Sequence, residues 1–460
     1  MVEYTDVANT GIAWLPQIPQ HWEVRKLKYA FNERSEKGYP NEPLLVSSQN
    51  MGVVPKSVYG KRTVEALKDL DKLKLVKAGD YVVSLRSFQG GIEYAYYQGI
   101  ISPAYTIMEP HKDFKSDYYK FLFKSAPFIK LLTTCVTGIR EGQNVDYKKL
   151  RNVEIPVPPR AEQVQIVRFL DWKVSEINKL IGIRRKEIQE LKALKSAVIN
   201  SAITRGIDAN SAMKKTGVYY LPKVPASWEV TKLKRICKVG ASINDLLSKH
   251  SDQDEVVFLP MENISEDGEI DCSIKQPIAK VKTGFSSFEK NDVVVAKITP
   301  CFENGKGACL DKLESDIGYG TTELFNLRAG NDVLPEYLYF ITMTKLFRIL
   351  GESQMTGSAG QKRVPADFIR DFTIGLPPID KQQEIVEYIR FEKGRIDRLI
   401  ATKHEQLKAL TEFKSSVVSD AVTGKIDVRN VTIPEYERVD NIYDDNNEDS
   451  EETETDGEEA

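Results

Sequence analysis

A long internal repeat is the feature that most constrains this chain. Residues 11–28, GIAWLPQIPQHWEVRKLK, return at 217–234 as GVYYLPKVPASWEVTKLK, with ten of eighteen positions identical and an offset of 206. Residues 151–208 then match residues 370–427 at an offset of 219, so the second variable block is 13 residues longer. A period this long indicates two whole domains, each followed by the same connecting element, and not a solenoid of small units.

Each repeat contains a long amphipathic segment after a pair of prolines. After Pro158-Pro159, residues 161–203 contain no proline and one glycine, and apolar residues recur three, four or seven positions apart. This spacing predicts a helix of roughly 40 residues, and the same apolar stripe follows Pro377-Pro378. Because a helix that long cannot bury its stripe against one small domain, we predict an antiparallel coiled-coil pair within the chain.

The net charge is unevenly distributed. Residues 440–460 hold eleven acidic side chains and no Lys or Arg, so the formal charge of -3 becomes +8 when these eleven are left out. A charge of that size is compatible with a polyanionic partner, and the acidic segment offers little to bury in a core. The sequence shows no signal peptide and no apolar stretch of membrane-spanning length, so we expect a cytoplasmic protein that does not contact membranes.

Motifs for catalysis are absent from the sequence. It contains no GxxxxGK[ST] phosphate loop, no HExxH zinc motif and no GxSxG nucleophile elbow. The five cysteines and four histidines are dispersed without a CxxC pair, so we expect reduced thiols and no metal site. These absences disfavour a self-contained nuclease or methyltransferase.

The variable blocks carry three pairs of polar, glycine-containing loops at corresponding positions. In each block a strand-like run, residues 80–85 or 292–297, leads into the first loop. Arg on such a loop suits the edge of guanine, and Asn or Gln suits adenine, although ordinary surface loops are the alternative. The predicted DNA-binding residues are Arg86, Gln89, Arg140, Gln143 and Asn144 in the first block, and Lys297, Thr299, Asn304, Lys306, Thr321, Gln361, Lys362 and Arg363 in the second.

Taken in order, these patterns resemble the DNA-specificity (S) subunit of type I restriction-modification systems. The resemblance covers residues 8–428 and rests on the repeated pattern ending in Trp22 and Trp228, the Pro-Pro pairs with the Gln that follows, and the long helices. Two positions depart from the family pattern. Lys381 replaces the usual Glu before Gln382, and Thr204-Arg-Gly206 changes the Thr-Gly ending of the first helix.

The resemblance implies a mixed α/β (α+β) fold. Two target recognition domains would be separated by two long antiparallel coiled-coil helices, with an internal pseudo-twofold repeat. The predicted boundaries are 1–157 for the first target recognition domain, 158–207 for the first spacer helix, 208–376 for the second domain, 377–427 for the second spacer helix and 428–460 for an acidic disordered tail.

The function implied by the resemblance is noncatalytic. Each recognition domain would read, in the major groove, one half of an asymmetric, bipartite double-stranded DNA target. Two methyltransferase (M) subunits that use S-adenosylmethionine would bind the helices, and endonuclease/translocase (R) subunits that use ATP and Mg would complete the complex, while this chain would bind no cofactor. Two alternatives are a coiled-coil protein–protein adaptor without direct DNA readout and a specificity subunit of a related methyltransferase–nuclease system.

Overall fold

A computed structural model of the chain describes residues 2–59, 69–114, 116–137, 144–358 and 360–439. The chain folds as two units: unit 1 consists of residues 1–186 with 404–460, and unit 2 consists of residues 187–403. Each unit combines β-sheets and helices around its own core, so the predicted mixed α/β class is confirmed.

The elements are labelled in chain order through both units. The strands are β1 (Val2–Glu3), β2 (Val7–Ile12), β3 (Leu15–Pro19), β4 (Glu23–Lys26), β5 (Phe31–Arg34), β6 (Leu45–Ser48), β7 (Gly52–Pro55), β8 (Lys74–Val76), β9 (Tyr81–Val83), β10 (Glu93–Tyr94), β11 (Gly99–Ile101), β12 (Thr106–Pro110), β13 (Val136–Thr137), β14 (Asn144–Val145), β15 (Glu154–Val157), β16 (Met213–Val218), β17 (Leu221–Pro225), β18 (Glu229–Lys232), β19 (Cys237–Val239), β20 (Glu255–Leu259), β21 (Lys275–Pro277), β22 (Ser286–Glu289), β23 (Val293–Ala296), β24 (Gly307–Cys309), β25 (Ile317–Gly320), β26 (Leu324–Ala329), β27 (Thr373–Leu376) and β28 (Ile426–Asp427).

The helices are labelled in the same way. They are α1 (Lys56–Tyr59), α2 (Ser87–Gly90), α3 (Tyr118–Phe123), α4 (Ala126–Thr134), α5 (Tyr147–Leu150), α6 (Arg160–Arg205), α7 (Leu233–Ile236), α8 (Asn244–Leu247), α9 (Ile278–Val281), α10 (Pro335–Met343), α11 (Lys345–Ser353), α12 (Ala366–Asp371) and α13 (Ile379–Val422).

The sheets of the two units share a plan and differ in detail. In unit 1 a four-stranded antiparallel sheet has the order β10-β9-β12-β5, and in unit 2 the corresponding sheet has the order β19-β26-β23-β24. Unit 2 also has a mixed sheet, β21-β20-β25-β22, in which β20 and β25 are parallel. The strand-like runs predicted at 80–85 and 292–297 are β9 and β23, each central in its sheet and fully buried.

Both variable blocks begin and end at a two-stranded ladder. In unit 1, β4 pairs with β15, and the Leu27 amide donates to the Val153 carbonyl (2.8 Å) directly after the ladder. In unit 2, β18 pairs with β27, and the Leu233 amide donates to the Phe372 carbonyl (3.0 Å) at the same place. The repeated sequence therefore forms the ladder that supports each variable block. The first and last residues of each block lie next to each other at the end of this ladder.

Both predicted long helices are present in the structure. Helix α6 has 46 residues and α13 has 44. In unit 1, Lys414 Nζ donates to Asn178 Oδ1 (2.9 Å); in unit 2, Lys403 Nζ lies 2.9 Å from Glu187 Oε2. Ile166 shares the unit 1 core with Val417 and Ala421, so the segments that meet in unit 1 run antiparallel. None of the helices in the described ranges is long and apolar enough to cross a membrane.

The altered helix ending in the first repeat still places a glycine just after the long helix. Gly206 and Gly424 lie one position apart in the repeat, yet both adopt a left-handed conformation, with φ of 77° and 73°, at the end of their helix. Glycine is favoured there because it carries no Cβ. A Cβ at Gly206 would approach the ring of Trp228, and one at Gly424 would approach Trp22, so in each unit the glycine at the end of one repeat's helix lies against the tryptophan of the other repeat.

The second departure, Lys381, lies at a position where the two units make different contacts. In unit 1 the N-terminal strand β1 pairs with β28, and the equivalent of Lys381, the buried Glu162, accepts hydrogen bonds from Tyr4 and His21. Burial and the Glu162 contact raise the pKa of Tyr4 well above its ordinary value. In unit 2 the chain runs on from α6 into β16, and Lys381 instead pairs with Glu384 (2.7 Å) on the surface.

Residues 428–439, here called the C-terminal strap, correct the predicted tail. Gln165 Nε2 donates to the Val428 carbonyl (3.0 Å) and the Val431 carbonyl (2.8 Å), and Ser175 Oγ donates to the Glu437 carbonyl (3.0 Å). Val428 is buried in the unit 1 core, and Val431 and Ile433 pack against it. The prediction of disorder from residue 428 is therefore wrong for 428–439, because three apolar side chains were overlooked beside the acidic run; residues 440–460 lie outside the described ranges.

Comparison of the repeats indicates what the strap covers. Phe169 on α6 is 1% exposed, whereas Tyr388, at the same repeat position on α13, is 40% exposed. Phe391, which corresponds to Trp172, is 64% exposed. Unit 2 has no counterpart of the strap on this helix face among its described residues, since the chain after α6 forms β16 instead.

Truncation should therefore destabilise unit 1 only when it removes the strap. Deleting residues 428–460 should lower the free energy of unfolding by about 2 kcal/mol, because burial of Val428 and its neighbours is lost while the entropy of ordering the strap is recovered. Deleting residues 440–460 should leave it unchanged. Urea denaturation followed by tryptophan fluorescence would measure both; equal stabilities of the two truncated chains would contradict the structural role of the strap.

Candidate nucleic-acid interface

In unit 2 the sequence-predicted residues come together at one end of strand β23. The loop 297–307 follows this strand, and the Thr299 amide donates to the Lys362 carbonyl (3.0 Å). In return the Lys362 amide donates to Thr299 Oγ1 (3.2 Å). The Lys297 amide donates to the Glu323 carbonyl (2.9 Å), which brings the loop that contains Thr321 to the same place. Three loops far apart in the sequence thus form one surface, called here the unit 2 loop surface (297–307, 321–323, 356–358 and 360–363).

The residues predicted in unit 2 include some whose side chains are exposed and others whose side chains contact the rest of the protein. Asn304, Gln361 and Lys362 are exposed and are available to a ligand. Lys306 Nζ donates to the Met261 carbonyl (2.9 Å), so its ammonium holds the loop to its neighbour. Lys297 is half-buried, and its Nζ lies 5.6 Å from the centre of the Phe325 ring.

Arg363 has a carboxylate partner that sequence reasoning missed. Its Nε and Nη2 atoms each lie 2.9 Å from a carboxylate oxygen of Glu323, which makes a bidentate pair. The hydrogen bonds from Arg363 lower the pKa of Glu323 below its ordinary value. Arg363 would have to leave this pair before it could contact a guanine edge bidentately. In this arrangement it braces two loops of the surface.

In unit 1 the described candidates lie around the short helix α2. Arg86 is the residue before this helix and is half-buried, and Gln89 on the helix is exposed. Helix α2 lies against β14, whose first residue is the exposed Asn144. Arg86, Gln89 and Asn144 therefore form the unit 1 loop surface. The predicted Arg140 and Gln143 lie outside the described residues.

Close packing explains the two glycines, Gly90 and Gly91, that follow Gln89. A Cβ at Gly90 would overlap the side chain of Gln49, and one at Gly91, whose φ is 89°, would overlap the Phe123 carbonyl. At Gly91 any other residue would push α2 away from the Phe123 backbone, whereas at Gly90 the Gln49 side chain would have to move. The glycines therefore set the position from which Gln89 projects.

Two buried or partly buried cations beneath the loop surfaces were not predicted. Lys124 Nζ donates to the Gly90 carbonyl (2.9 Å) and the Gln49 carbonyl (3.1 Å), and it also pairs with Glu93. Burial raises the pKa of Glu93 to about 7, against the opposing effect of Lys124. In unit 2, Arg348 donates to the Phe302 carbonyl (2.9 Å) and the Gly305 carbonyl (3.2 Å). No local sequence pattern marks either residue, since their partners are distant backbone atoms.

The surfaces offer recognition groups and no catalytic constellation among the described residues. No group of three or more His, Cys, Asp and Glu side chains in those ranges is arranged to hold a metal ion. Exposed amides, a lysine and an arginine on rigidly anchored loops are the groups that contact base edges and phosphates. Each unit carries a different set of these recognition groups on the same repeated scaffold.

Comparison with known proteins decides the family. A family model described as the type I restriction modification DNA specificity domain matches the chain twice, at residues 19–193 and 225–411. The chain belongs to this family. Each match runs from the first repeated pattern of one unit, through its variable block, into a long helix, so the resemblance inferred from the sequence is confirmed.

Curated relatives are specificity subunits. The type I restriction enzyme EcoAI specificity subunit of Escherichia coli is 43% identical over 172 residues, which are 37% of this chain and 28% of that relative. The MjaVIII specificity subunit of Methanocaldococcus jannaschii is 25% identical over 438 residues, or 90% of this chain and 95% of that relative. The chain thus matches about a quarter of the EcoAI subunit and nearly the whole MjaVIII subunit. These names agree with the prediction of a noncatalytic subunit.

A solved structure shares the fold. A chain from the structure entitled "Structural basis underlying complex assembly and conformational transition of the type I R-M system" has a TM-score of 0.64 and 13% sequence identity. The similarity covers 89% of this chain and 99% of that one. At this identity the match supports the architecture and carries nothing about individual side chains.

Proposed function

We propose that this chain is the sequence-specific DNA-binding subunit of a type I restriction-modification complex. Each unit reads one half of an asymmetric, bipartite target in double-stranded DNA. The chain itself performs no chemistry; it selects the site at which partner subunits act and holds those partners together.

The observation that supports this proposal is that the scaffold built by the repeated sequence carries a different loop surface in each unit. Unit 1 presents Arg86, Gln89 and Asn144, and unit 2 presents Asn304, Gln361 and Lys362. An exposed Asn or Gln pairs bidentately with adenine, and Lys contacts phosphate. Because the two sets differ, the two halves of the target differ, so the target is asymmetric.

The partners follow from the family and from the repeat. Two methyltransferase subunits bind the repeated helical elements and supply S-adenosylmethionine chemistry, and endonuclease/translocase subunits supply ATP- and Mg-dependent cleavage. The complex works in the cytoplasm. Without the eleven acidic side chains of residues 440–460 the chain has a net charge of +8, which supports a limited number of phosphate contacts. Tight binding therefore depends on the partner subunits.

Reconstitution tests the function. We expect the purified chain with S-adenosylmethionine, ATP and Mg neither to methylate nor to cut DNA, and the chain with its methyltransferase subunit to methylate one split sequence. Genome-wide mapping of methylated adenines would identify that sequence. Methylation by the chain alone would indicate an enzyme. A stable complex with the methyltransferase that binds all DNA sequences equally would indicate a protein–protein adaptor.

A further inference from the structure

Two cations occupy exchanged positions in the internal repeat. Lys124 and Ile129 in unit 1 correspond to Met343 and Arg348 in unit 2, at the offset of 219. The correspondence holds in three dimensions, because the residues between them match. Ser125 and Thr344 precede α4 and α11, and each donates its hydroxyl to the carbonyl three residues earlier (2.7 Å).

The two exchanged positions are neighbours. In unit 2, Arg348 Nη2 lies 3.9 Å from Met343 Sδ. A cation has therefore been kept next to the loop surface in both units, while the residue that supplies it has moved by five positions. Because both units place a cation next to the loop surface from different positions of the repeat, the cation meets a requirement that the two units share.

The cost of the charge is highest in unit 2. Arg348 is 8% exposed, and among the described residues its guanidinium is matched by carbonyls and by the Phe302 ring, at 4.8 Å, with no carboxylate paired to it. Burial lowers the pKa of Arg348 to about 10. A buried cation without a counter-ion opposes stability unless its hydrogen bonds compensate. Packing alone would be better served by the Ile that unit 1 has at this position.

Both cations bind the same kind of atom. Lys124 donates to the Gly90 carbonyl, and Arg348 donates to the Gly305 carbonyl. Gly90 follows the exposed Gln89, and Gly305 follows the exposed Asn304. In each unit, a cation thus fixes the carbonyl of the glycine that follows an exposed amide residue, whose side chain suits an adenine edge.

We propose that Lys124 and Arg348 are the positioning residues that set the base-reading amides Gln89 and Asn304, one in each unit. This inference rests on the proposed function. Neither cation touches DNA; each holds the backbone from which the amide projects, and a bidentate contact tolerates little displacement of that backbone. Their loss should reduce discrimination between bases more than overall affinity.

The test uses the complex of the full chain with its methyltransferase subunit. Binding constants would be measured for the cognate target and for targets with one base pair changed in either half. Arg348→Met should lower discrimination about tenfold in the half read by unit 2 and leave the other half unchanged. Lys124→Met should lower discrimination in the half read by unit 1 and leave the half read by unit 2 unchanged. Arg348→Lys, which keeps the charge but not the two-pronged donor, should lose less.

Controls separate positioning from charge and from folding. Lys345→Met and Lys130→Met remove exposed lysines from α11 and α4, and should leave both halves unchanged. Gly305→Ala places a side chain at a φ of 89°, which residues other than glycine rarely adopt, while its Cβ would lie 3.9 Å from the nearest atom, the Glu266 carbonyl oxygen. The strained backbone should disturb the same half even if Arg348→Met does not fold. Unchanged discrimination in folded Arg348→Met and Gly305→Ala chains, or an equal loss in both halves, would overturn the inference. A wild-type complex without discrimination would contradict the proposed function instead.

Discussion

Exchanging residues 233–372 for the matching block of a relative should change one half of the DNA target and leave the other half intact. The block contains the whole unit 2 loop surface, including Lys362 and Arg363. Each mismatched base pair costs about 1–3 kcal/mol, so the affinities for the original and new half-sites should differ by about 5- to 150-fold per specific base pair. Methylation mapping of the exchanged chain with its methyltransferase would read out both halves.

The boundaries of the exchange come from the ladder at the base of the block. Strands β18 and β27 pair with each other and stay native, so the graft enters and leaves through adjacent backbone positions. The unit 1 block, residues 27–153, enters and leaves between β4 and β15 in the same way. Its exchange should change the opposite half of the target.

A shorter exchange is the matched control. Replacing only residues 233–355 keeps native Lys362 and Arg363 but changes their partners Thr299 and Glu323. We expect this chain to bind both old and new targets weakly, because the loop surface is assembled from two sources. If the full exchange altered both halves of the target, the two units would not read DNA separately.

The architecture was predictable because the repeat supplied its own alignment. The pairs Trp22 and Trp228, and Gln163 and Gln382, recur at fixed offsets, and each Gln side chain donates to the first carbonyl of the Pro-Pro pair before its helix (2.8 and 2.9 Å). Such contacts span five residues and leave a local mark in the sequence. The helix stripes have the same advantage, since a period of 3.6 is visible without knowledge of the partner.

The details of the loop surfaces were not predictable, because their contacts join residues that are far apart in the sequence. Arg363 was chosen as a base reader from its residue type, but Glu323, its partner, lies 40 residues away. Lys306 was chosen on the same grounds, and it donates to Met261, which is 45 residues away. The residue types Arg, Lys, Asn and Gln indicate polar chemistry, but only the tertiary fold decides whether a given group is already engaged.

The second large effect concerns the core beneath the unit 2 loop surface. Phe347→Ala should lower the free energy of unfolding of unit 2 by about 3–5 kcal/mol, the usual cost of truncating a fully buried Phe. Phe347 is 0% exposed and packs against Phe302, Phe368 and Phe372, with ring centres 5.0–5.9 Å away. Phe302 lies in the loop 297–307, so the cavity should also loosen the loop that presents Asn304.

The tryptophans allow the two units to be followed separately. Trp228 lies in unit 2, and Trp14, Trp22 and Trp172 lie in unit 1. In a chain whose tryptophans other than Trp228 are replaced by Phe, Phe347→Ala should shift the urea transition that Trp228 reports. Phe128 occupies the same repeat position in unit 1. In a Trp228→Phe chain, Phe128→Ala should shift the transition that the other three tryptophans report. Each core is built from its own block and its own helix segments. Equal shifts of both transitions by either substitution would mean that the two cores unfold as one.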